Sequence, residues 1–589
     1  MARSSAFLLF IGSIVSSVLG QTGLAPKQYL SLALGSIKPT GWLYDQLMVQ
    51  TNGLAGHEHE FYDYHSRPRC DEAFLKPTGW LLTFQIGGPS YYSDLEEAGS
   101  YWFNAMVPNG ILVNNSGIIQ RTQEFLDYVL AHQDSTGWMG PEVNTTKPRY
   151  LWGRYPFMFG AIQMVEYNPE LADQVVSALY KFVSLANTML HNNGEGVEEL
   201  YDFYPNGNED LLLDTMKQLK YTGVPWEEVF ESQWHGVNMA EGLKALPATY
   251  RFTHNQTDLD RASEGWDLLF QYHGRPSGIY AADEYLAGLE AVRGTELCLV
   301  VETMFSGSYL YQVIGDPKYV DRVERIAYNA LPAELTGDFW SRQYLQQQNQ
   351  IAAKNMSPDP FATDGPYSNV FGLEPNYPCC TVYLGPFQTT ATLAEENPVT
   401  VTVDSIYPFS DLLNTTITAA KAFTYYIRIP SWTVNGTITI NRWYSDPSFA
   451  YEWPSSKSRP HGSIAVHRGP LHYALDKQPL AKDLEFDATA AWQYAIDPST
   501  LQFTNNPPKA GILPSPIFDS GLAPLSMTVT ACPINWPEAG NTFVASPPTN
   551  PECTGAQKTI TLTPYGARDQ ATHWRVPDLY CKVRILTNQ

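Results

Sequence analysis

The 589-residue chain changes its pattern of apolar residues near Leu393, and this change limits what the chain can fold into. Before Leu393, apolar side chains recur at the spacing of helices. In the stretch 119–132, for example, Phe125, Leu126 and Val129 fall on one stripe. Loops rich in Gly, Pro and Asn separate such stretches, and no strand-like alternation interrupts them. The pattern predicts helix-on-helix packing for this part of the chain.

Local chemistry predicts where two of these helices begin. Asp316 is followed by Pro317, which is the usual order of an N-cap and a first helical residue. Thr295 is predicted to cap an apolar helix that runs from Leu297 to Ile314. Both helices lie close to the residues that carry the candidate chemistry.

After Leu393 the pattern becomes that of short strands. Runs of β-branched residues alternate with Pro, Asn-Gly and Asp-Pro turns, which is typical of a β-sandwich in two modules. These runs are 399–403, 425–429, 437–440, 463–467, 471–475 and 559–562. The predicted organisation is a signal peptide at 1–20, a helical domain at 21–392, a shortened β-sandwich at 393–480 and a C-terminal β-rich domain at 481–589.

The N-terminus predicts secretion. Arg3 precedes a short apolar run, and small residues around Gly20 suit signal-peptide cleavage, so the mature chain is expected to begin at Gln21. No later segment is expected to reach transmembrane length. Six N-x-S/T sequons agree with an extracellular glycoprotein: Asn114, Asn144, Asn255, Asn355, Asn414 and Asn435.

Charge and composition restrict the class of partner. The chain has 37 basic and 60 acidic residues, for a net charge of −23. A nucleic-acid partner would require a basic surface, so none is expected. Aromatic residues make up 13% of the chain, which suits a carbohydrate ligand because aromatic faces stack on sugar rings.

Three cysteines and a glutamate form the candidate metal site. Glu296, Cys298, Cys379 and Cys380 offer three thiolates and a carboxylate, a ligand set that suits tetrahedral Zn²⁺. A disulfide from Cys298 to Cys379 or Cys380 is the alternative, since a secreted protein permits one. Cysteine spacing leaves both possibilities open.

The other cysteines are assigned only in part. Cys532 and Cys553 are the better candidates for a disulfide, and Cys70 and Cys581 have no predicted partner. The total of seven cysteines leaves at least one thiol outside any intramolecular disulfide. An odd count therefore favours a free or metal-bound thiol.

Several motifs resemble glycoside hydrolase family 127, the β-L-arabinofuranosidase family. They are A-D-E-Y-L-A-G at 282–288, G-T-E-L-C-L-V-V-E-T-M-F at 294–305, Y-L-Q-Q-Q-N-Q at 344–350, C-C-T at 379–381, W-G-R at 152–154 and H-G-V-N at 235–238. The resemblance covers most of residues 40 to 385. It is thinner in the β region, where the chain looks shorter than family members.

The resemblance implies both a fold and a mechanism. The fold would be an (α/α)6 barrel followed by β-sandwich domains. The activity would be that of a retaining exo-glycosidase acting on terminal β-L-arabinofuranosides of plant-type glycans. Cys379 would be the nucleophile, Glu284 the acid/base, and Glu296, Cys298, Cys379 and Cys380 the zinc ligands. Substrate contacts are expected from His235, Tyr344, His65 and Arg154.

Three alternatives remain open at this point. Asp283 could be the acid in place of Glu284. The substrate could be another furanose-like sugar or an acidic pectin sugar. The chain could also be a non-catalytic carbohydrate-binding protein with a structural zinc or a disulfide.

Overall fold

The computed structural model of the chain describes residues 23–61, 98–140, 151, 153–193, 235–361, 364–372, 399–433, 439–442, 464–475, 479–482, 485–488, 491–505, 512–519, 522–548 and 551–566. The predicted signal peptide lies outside these ranges. So do His65, Cys379 and Cys380, and the sequons at Asn144 and Asn435.

The described chain up to residue 333 is mainly helical, as the sequence predicts. Its α-helices are α1 Trp42–Asn52, α2 Leu54–Phe61, α3 Ala98–Leu112, α4 Ser116–Ala131, α5 Arg154–Tyr167, α6 Ala172–Asn193, α7 Gly236–Gly242, α8 Ala245–Thr253, α9 Gln256–His273, α10 Leu297–Ile314, α11 Pro317–Arg325 and α12 Leu331–Ala333. A π-helical turn, Ile326–Ala330, joins α11 to α12. The predicted stripe of α4 is buried at Phe125, Leu126 and Val129, so helical periodicity reports the core correctly here.

The two predicted helix starts have different outcomes. Asp316 caps α11, because its side chain accepts a hydrogen bond from the Lys318 backbone N–H at 2.9 Å. Helix α10 begins at Leu297 as predicted, but its N-cap is Glu296 and the assignment to Thr295 is wrong. The Thr295 hydroxyl instead donates to the Tyr280 carbonyl at 3.2 Å, and Thr295 belongs to a strand.

Short strands interrupt the helical part, which the sequence analysis expects to be all-α. They are β1 Ala282–Asp283, β2 Tyr285–Leu286, β3 Gly294–Glu296, β4 Arg342–Gln343, β5 Leu345–Gln347, β6 Ala352–Ala353 and β7 Phe371–Gly372. Four of them form one small sheet in the order β2-β1-β3-β5. Strands of two or three residues are too short to show alternation, which is why the pattern is absent from the sequence.

Strands dominate after residue 398. They are β8 Val399–Asp404, β9 Asn414–Ala419, β10 Thr439–Arg442, β11 Ile464–Arg468, β12 Leu471–Leu475, β13 Pro479–Lys482, β14 Glu485–Ala488, β15 Tyr494–Asn505, β16 Leu525–Pro533 and β17 Lys558–Pro564. Six form an antiparallel sheet in the order β10-β11-β12-β17-β16-β15. On β16, Leu525, Met527, Val529 and Ala531 alternate into the core.

The helical and β parts share a hydrophobic cluster. Trp42 of α1 packs edge-on against Phe409 at 5.4 Å between ring centroids, and its indole N–H donates to the Tyr407 carbonyl at 3.1 Å. The same cluster contains Met527 and Val529 of β16. The chain is therefore a multidomain fold of helices and sheets whose parts are packed together.

One predicted strand is wrong. Residues 425–429 form no strand, and Tyr426 and Ile429 are exposed. The Arg428 guanidinium instead pairs with Asp321 and Glu324 of α11. The segment is thus attached to a helix through one side chain, and its β-branched composition is not used for sheet pairing.

Helix α10 is long and apolar enough, by length and composition, to cross a membrane, which the sequence analysis did not expect. Of the qualifying window, 67% is buried inside the protein. Leu299, Val300 and Leu310 of α10 belong to the helical core. Burial of this extent is what the core helix of a globular domain shows.

The predicted disulfide between Cys532 and Cys553 is confirmed. The two sulfur atoms are 2.03 Å apart, and the bond joins residues 21 positions apart in the sequence. It connects the end of β16 to the segment that leads into β17, within the six-stranded sheet.

Candidate active site

Glu284 lies alone at a tight turn between β1 and β2, since Asp283 pairs directly with Tyr285. Its φ is 66°, a left-handed conformation that is uncommon for residues other than glycine. Its backbone N–H donates to Glu296 Oε1 at 2.6 Å, and its carbonyl accepts from the Gly236 N–H at 2.8 Å. Strain held in place by surrounding bonds in this way points to a functional residue.

His235 faces the side chain of Glu284. Its Nε2 lies 2.8 Å from Glu284 Oε2, while its Nδ1 accepts from the Val237 backbone N–H at 3.2 Å. Because Nδ1 is an acceptor, the proton of the neutral ring lies on Nε2 and is donated to Glu284. An antiparallel bridge between His235 and Tyr285 fixes the backbone on the same side.

Glu296 lies on the inner side of the cluster and is 1% exposed. Besides the Glu284 N–H, its carboxylate accepts the Tyr344 hydroxyl on Oε2 at 3.1 Å. Burial raises the pKa of Glu296 to about 7, and the negative charge of Glu284 acts in the same direction. Glu296 is therefore held by two donors and keeps its proton to a higher pH than an exposed glutamate does.

Asp364 is a functional candidate that the sequence analysis missed. It is 4% exposed, and neither carboxyl oxygen has a partner in a well-formed hydrogen bond among the described residues. Its side chain nevertheless approaches Glu284 closely enough for the two acids to interact. Burial, followed by the charges of Glu296 and Glu284, raises the pKa of Asp364 to about 10. In the sequence Asp364 precedes Gly365 and Pro366, so the position looks like an ordinary turn.

Glu284 differs from its two acidic neighbours in protonation. Burial is the largest single influence on the pKa of Glu284 and raises it, but the hydrogen bond and charge of His235, together with hydrogen bonds to Asp364 and Tyr344, outweigh burial, so the net pKa is lowered. At neutral pH the resting cluster therefore holds an ionised Glu284 beside a protonated Asp364.

Asp283, the alternative acid, is engaged elsewhere. It is fully buried, and the Arg293 guanidinium binds both of its carboxylate oxygens. The Gly294 backbone N–H adds a third donor at 3.3 Å. A carboxylate held this way has no access to a substrate, so the geometry favours Glu284 as the acid/base.

Two predicted substrate contacts are buried. Tyr344 uses its hydroxyl to hold Glu296, and its ring belongs to the helical core. Arg154 opens α5 and is completely buried, with its guanidinium 4.8 Å from the centre of the Trp138 ring. The Tyr344 contact holds Glu296 in the site, and the Arg154 contact fixes the start of α5. Among the described residues, His235 is the predicted sugar-binding residue whose side chain is accessible to solvent.

The sequons of the described residues lie on the surface. Four of the six asparagines lie in the described ranges, and all four side chains are exposed: Asn114, Asn255, Asn355 and Asn414. Exposure is the condition that a glycan requires.

The residues around Glu296 could hold a metal ion. Three residues each offer one ligand atom, and these atoms lie within 4.8 Å of one another: His235, Glu284 and Glu296. The chemistry of the predicted zinc site is different, because it requires thiolates. Glu296 suits that set, as a buried carboxylate with lone pairs to spare beyond its two donors.

Cys298 does not suit the thiolate set in its present state, because it is disulfide-bonded. Cys532 and Cys553 bond each other, so neither of them is the partner of Cys298. A disulfide sulfur is a poor replacement for the thiolate that Zn²⁺ binds. Cys298 is thus in a disulfide, the kind of bond that the sequence left open, and the predicted partners Cys379 and Cys380 lie outside the described residues.

Comparisons with known proteins bear on the fold. The sequence matches no protein-family model, and no curated protein matches it. A solved glycoside hydrolase family 127 (GH127) β-arabinofuranosidase shares 14% identity, with 96% of this chain and 99% of that one covered and a TM-score of 0.59. The GH127 β-L-arabinofuranosidase Ara127N-Se of Geobacillus stearothermophilus T6 shares 12% identity, with 94% and 99% covered and a TM-score of 0.61.

A third solved structure, described as a glycoside hydrolase, shares 12% identity, with 93% of this chain and 97% of that one covered and a TM-score of 0.58. In all three cases the match extends over nearly the whole of both chains. The chain therefore has the fold of the solved GH127 structures, and at the level of fold the resemblance inferred from its motifs is confirmed.

Proposed function

We propose that the protein is a secreted, retaining exo-glycosidase that hydrolyses terminal β-L-arabinofuranosides of plant-type glycans. The observation that carries the proposal is Glu284, held in a left-handed conformation between His235 and Glu296. The names of the structures that share the fold support the choice of sugar. The finer architecture belongs to the same proposal: helices paired into an (α/α)6 barrel, followed by β-sandwich domains.

The acidic cluster provides the proton chemistry. Glycosidic cleavage needs an acid that protonates the leaving oxygen and then a base that deprotonates water. Glu284 is accessible enough to contact substrate, and Asp364 holds a proton beside it. In this proposal Glu284 takes up a proton from solvent as the substrate binds and donates it to the leaving oxygen, and the ionised Glu284 that results is the base of the second step.

The nucleophile in this proposal is Cys379. Its thiolate would attack the anomeric carbon, the bond to the leaving oxygen would break as Glu284 donates its proton, and water would then cleave the thioglycoside with retention. This chemistry requires a free thiol at Cys379. The disulfide at Cys298 makes the redox state of these cysteines part of the proposal.

Zinc belongs to the reduced form in this proposal. Once the Cys298 disulfide is reduced, Glu296, Cys298, Cys379 and Cys380 would complete the ligand set, and a bound zinc ion would keep the thiols deprotonated. In the oxidised state the described residues do not fit the ion, because the Cys298 sulfur is in a disulfide. Zinc content measured before and after reduction tests this part separately.

One observation favours a second candidate, a carbohydrate-binding protein without catalysis. A Cys298 that stays oxidised removes a predicted zinc ligand, and its disulfide would then be a structural bond. The binding function would use the same accessible face at His235 and Glu284. Turnover separates the two candidates, since the binding protein retains affinity for the sugar but releases no product.

The test is hydrolysis of an aryl β-L-arabinofuranoside by the purified protein, with and without prior reduction. Cys379→Ala is compared with Glu290→Gln, which changes a half-buried acid outside the cluster. The proposal expects activity in the reduced wild type and in Glu290→Gln, and none in folded Cys379→Ala. Activity that persists in Cys379→Ala would rule out this nucleophile. Sugar binding without turnover in every form would establish the second candidate.

A further inference from the structure

We propose that Tyr285 forms an aromatic platform for the group released from the sugar, so that the enzyme prefers substrates whose leaving group presents a flat, apolar face. This inference rests on the proposed function, because it requires Glu284 to be the acid/base. It adds a specificity residue on the side of the scissile bond away from the arabinofuranose.

The exposure of the cluster shows where that leaving group must lie. Glu296 is 1% exposed, the Glu284 side chain is 22% exposed, and the His235 side chain is 36% exposed. The site is therefore closed at Glu296 and opens toward solvent at His235 and Glu284. An exo-acting enzyme holds the terminal sugar on the inner side, so the rest of the substrate leaves through this opening.

Tyr285 stands at this opening. It follows Glu284 directly in the chain, and its backbone is bridged to His235 in antiparallel fashion. Consecutive Cα atoms are about 3.8 Å apart, so the ring starts within one residue of the group that protonates the leaving oxygen. Acid catalysis places that oxygen within hydrogen-bond distance of Glu284, which brings the first atoms of the leaving group near Tyr285.

The Tyr285 side chain is exposed enough to act as a stacking platform. It is 36% exposed, whereas its neighbours Asp283 and Leu286 in the same hairpin are buried. In the described part of the chain, no side-chain hydrogen bond or ring contact occupies it. Tyr367, at a similar exposure, is by contrast tied to Asn355 through its hydroxyl. Among the described residues the ring of Tyr285 has no stacking partner, so it is available to a ligand at the site entrance.

The experiment compares two glycosides that differ only in their leaving group, benzyl and ethyl β-L-arabinofuranoside. Both release an unactivated alcohol, so their intrinsic reactivity is similar and the ratio of their kcat/KM values reports the platform. The variants are Tyr285→Ala, Tyr285→Phe as the conservative variant that keeps the ring, and Tyr167→Ala as a matched exposed tyrosine elsewhere. Inhibition by free L-arabinose measures the inner subsite independently.

The expected result is a benzyl-to-ethyl ratio that falls about three- to tenfold in Tyr285→Ala, mainly through KM of the benzyl glycoside. The ratio should stay at the wild-type value in Tyr285→Phe and Tyr167→Ala, and inhibition by L-arabinose should be the same in all proteins. An unchanged ratio in Tyr285→Ala, with active wild type, overturns the platform alone. Wild type that is inactive toward both glycosides overturns the proposed function, and the platform with it.

Discussion

The two main sheets of the molecule are built on opposite principles. The six-stranded sheet has strands of up to 12 residues and buries apolar side chains such as Met527 and Val529. The small sheet β2-β1-β3-β5 has strands of two or three residues and buries charged groups, notably Asp283 and Glu296. Buried apolar area stabilises a fold, whereas buried charge costs stability unless it is paired. The small sheet therefore gains little stability from the side chains it buries, and its role is to hold the candidate site residues in place.

Glu284→Gln gives the largest expected contrast between the two sheets. The amide keeps an acceptor for His235 but cannot transfer a proton, so kcat/KM for an unactivated glycoside should fall by about 10²- to 10⁴-fold. The melting temperature should stay close to the wild-type value or fall slightly, because the lowered pKa of Glu284 shows that the fold favours its ionised form. Thermal unfolding and kinetics on the same preparation check both. A variant that keeps full activity would remove Glu284 from the mechanism.

Met527→Ala should show the opposite behaviour in the six-stranded sheet. Met527 is fully buried on β16, and its truncation should lower the free energy of unfolding by about 2–5 kcal/mol. The kcat of the protein that remains folded should be unchanged. Denaturant titration beside active-site kinetics tests this. A large fall in kcat at full folding would mean that the two sheets are coupled.

Arg293→Met tests whether the small sheet depends on paired charge. The substitution leaves the fully buried Asp283 carboxylate without its guanidinium, which should cost about 3 kcal/mol of unfolding free energy. Adding Asp283→Asn removes the unpaired charge and should restore part of that loss. A double-mutant cycle measured by denaturant unfolding gives the coupling. Additive effects of the two changes would show that the pair is unimportant.

Glu296→Gln has the smallest expected effect, and it depends on pH. The pKa of Glu296 rises from 4.5 in the unfolded chain to about 7 in the fold. Between these values the folded state keeps a proton that the unfolded state has lost, so stability decreases as pH rises. In metal-free protein the decrease should reach at most about 3 kcal/mol, and Glu296→Gln should abolish it. Unfolding measured at about pH 5 and about pH 7 in both proteins, with a chelator present, gives the two slopes. Equal slopes would contradict the assignment.

Sequence periodicity predicts the parts of the fold that depend on apolar packing. The stripe of α4, the start of α11 at Pro317 and the strand at 464–468 are all recovered. The small sheet is missed because strands of two residues have no period. The strand at 425–429 is wrong because Arg428 is bound to α11 by tertiary contacts that propensity cannot report.

The candidate site shows the same division. Motifs lead to Glu284, Glu296 and His235, and the structure brings these three together. Asp364 is distant in the sequence and lies in a turn, so only folding places it against Glu284. The accessibility of Tyr344 and Arg154 likewise depends on tertiary burial. For Cys298, spacing leaves metal and disulfide open, and the structure has a disulfide.

The most direct test of the central claim is azide rescue of Glu284→Ala on an activated aryl β-L-arabinofuranoside. An activated leaving group departs without acid assistance, so loss of the base should leave the glycosyl-enzyme waiting for water. Azide needs no base, and it should raise turnover by about tenfold or more and give the β-configured arabinofuranosyl azide. Absence of rescue, or an azide product of inverted configuration, would contradict Glu284 as the acid/base of a retaining glycosidase.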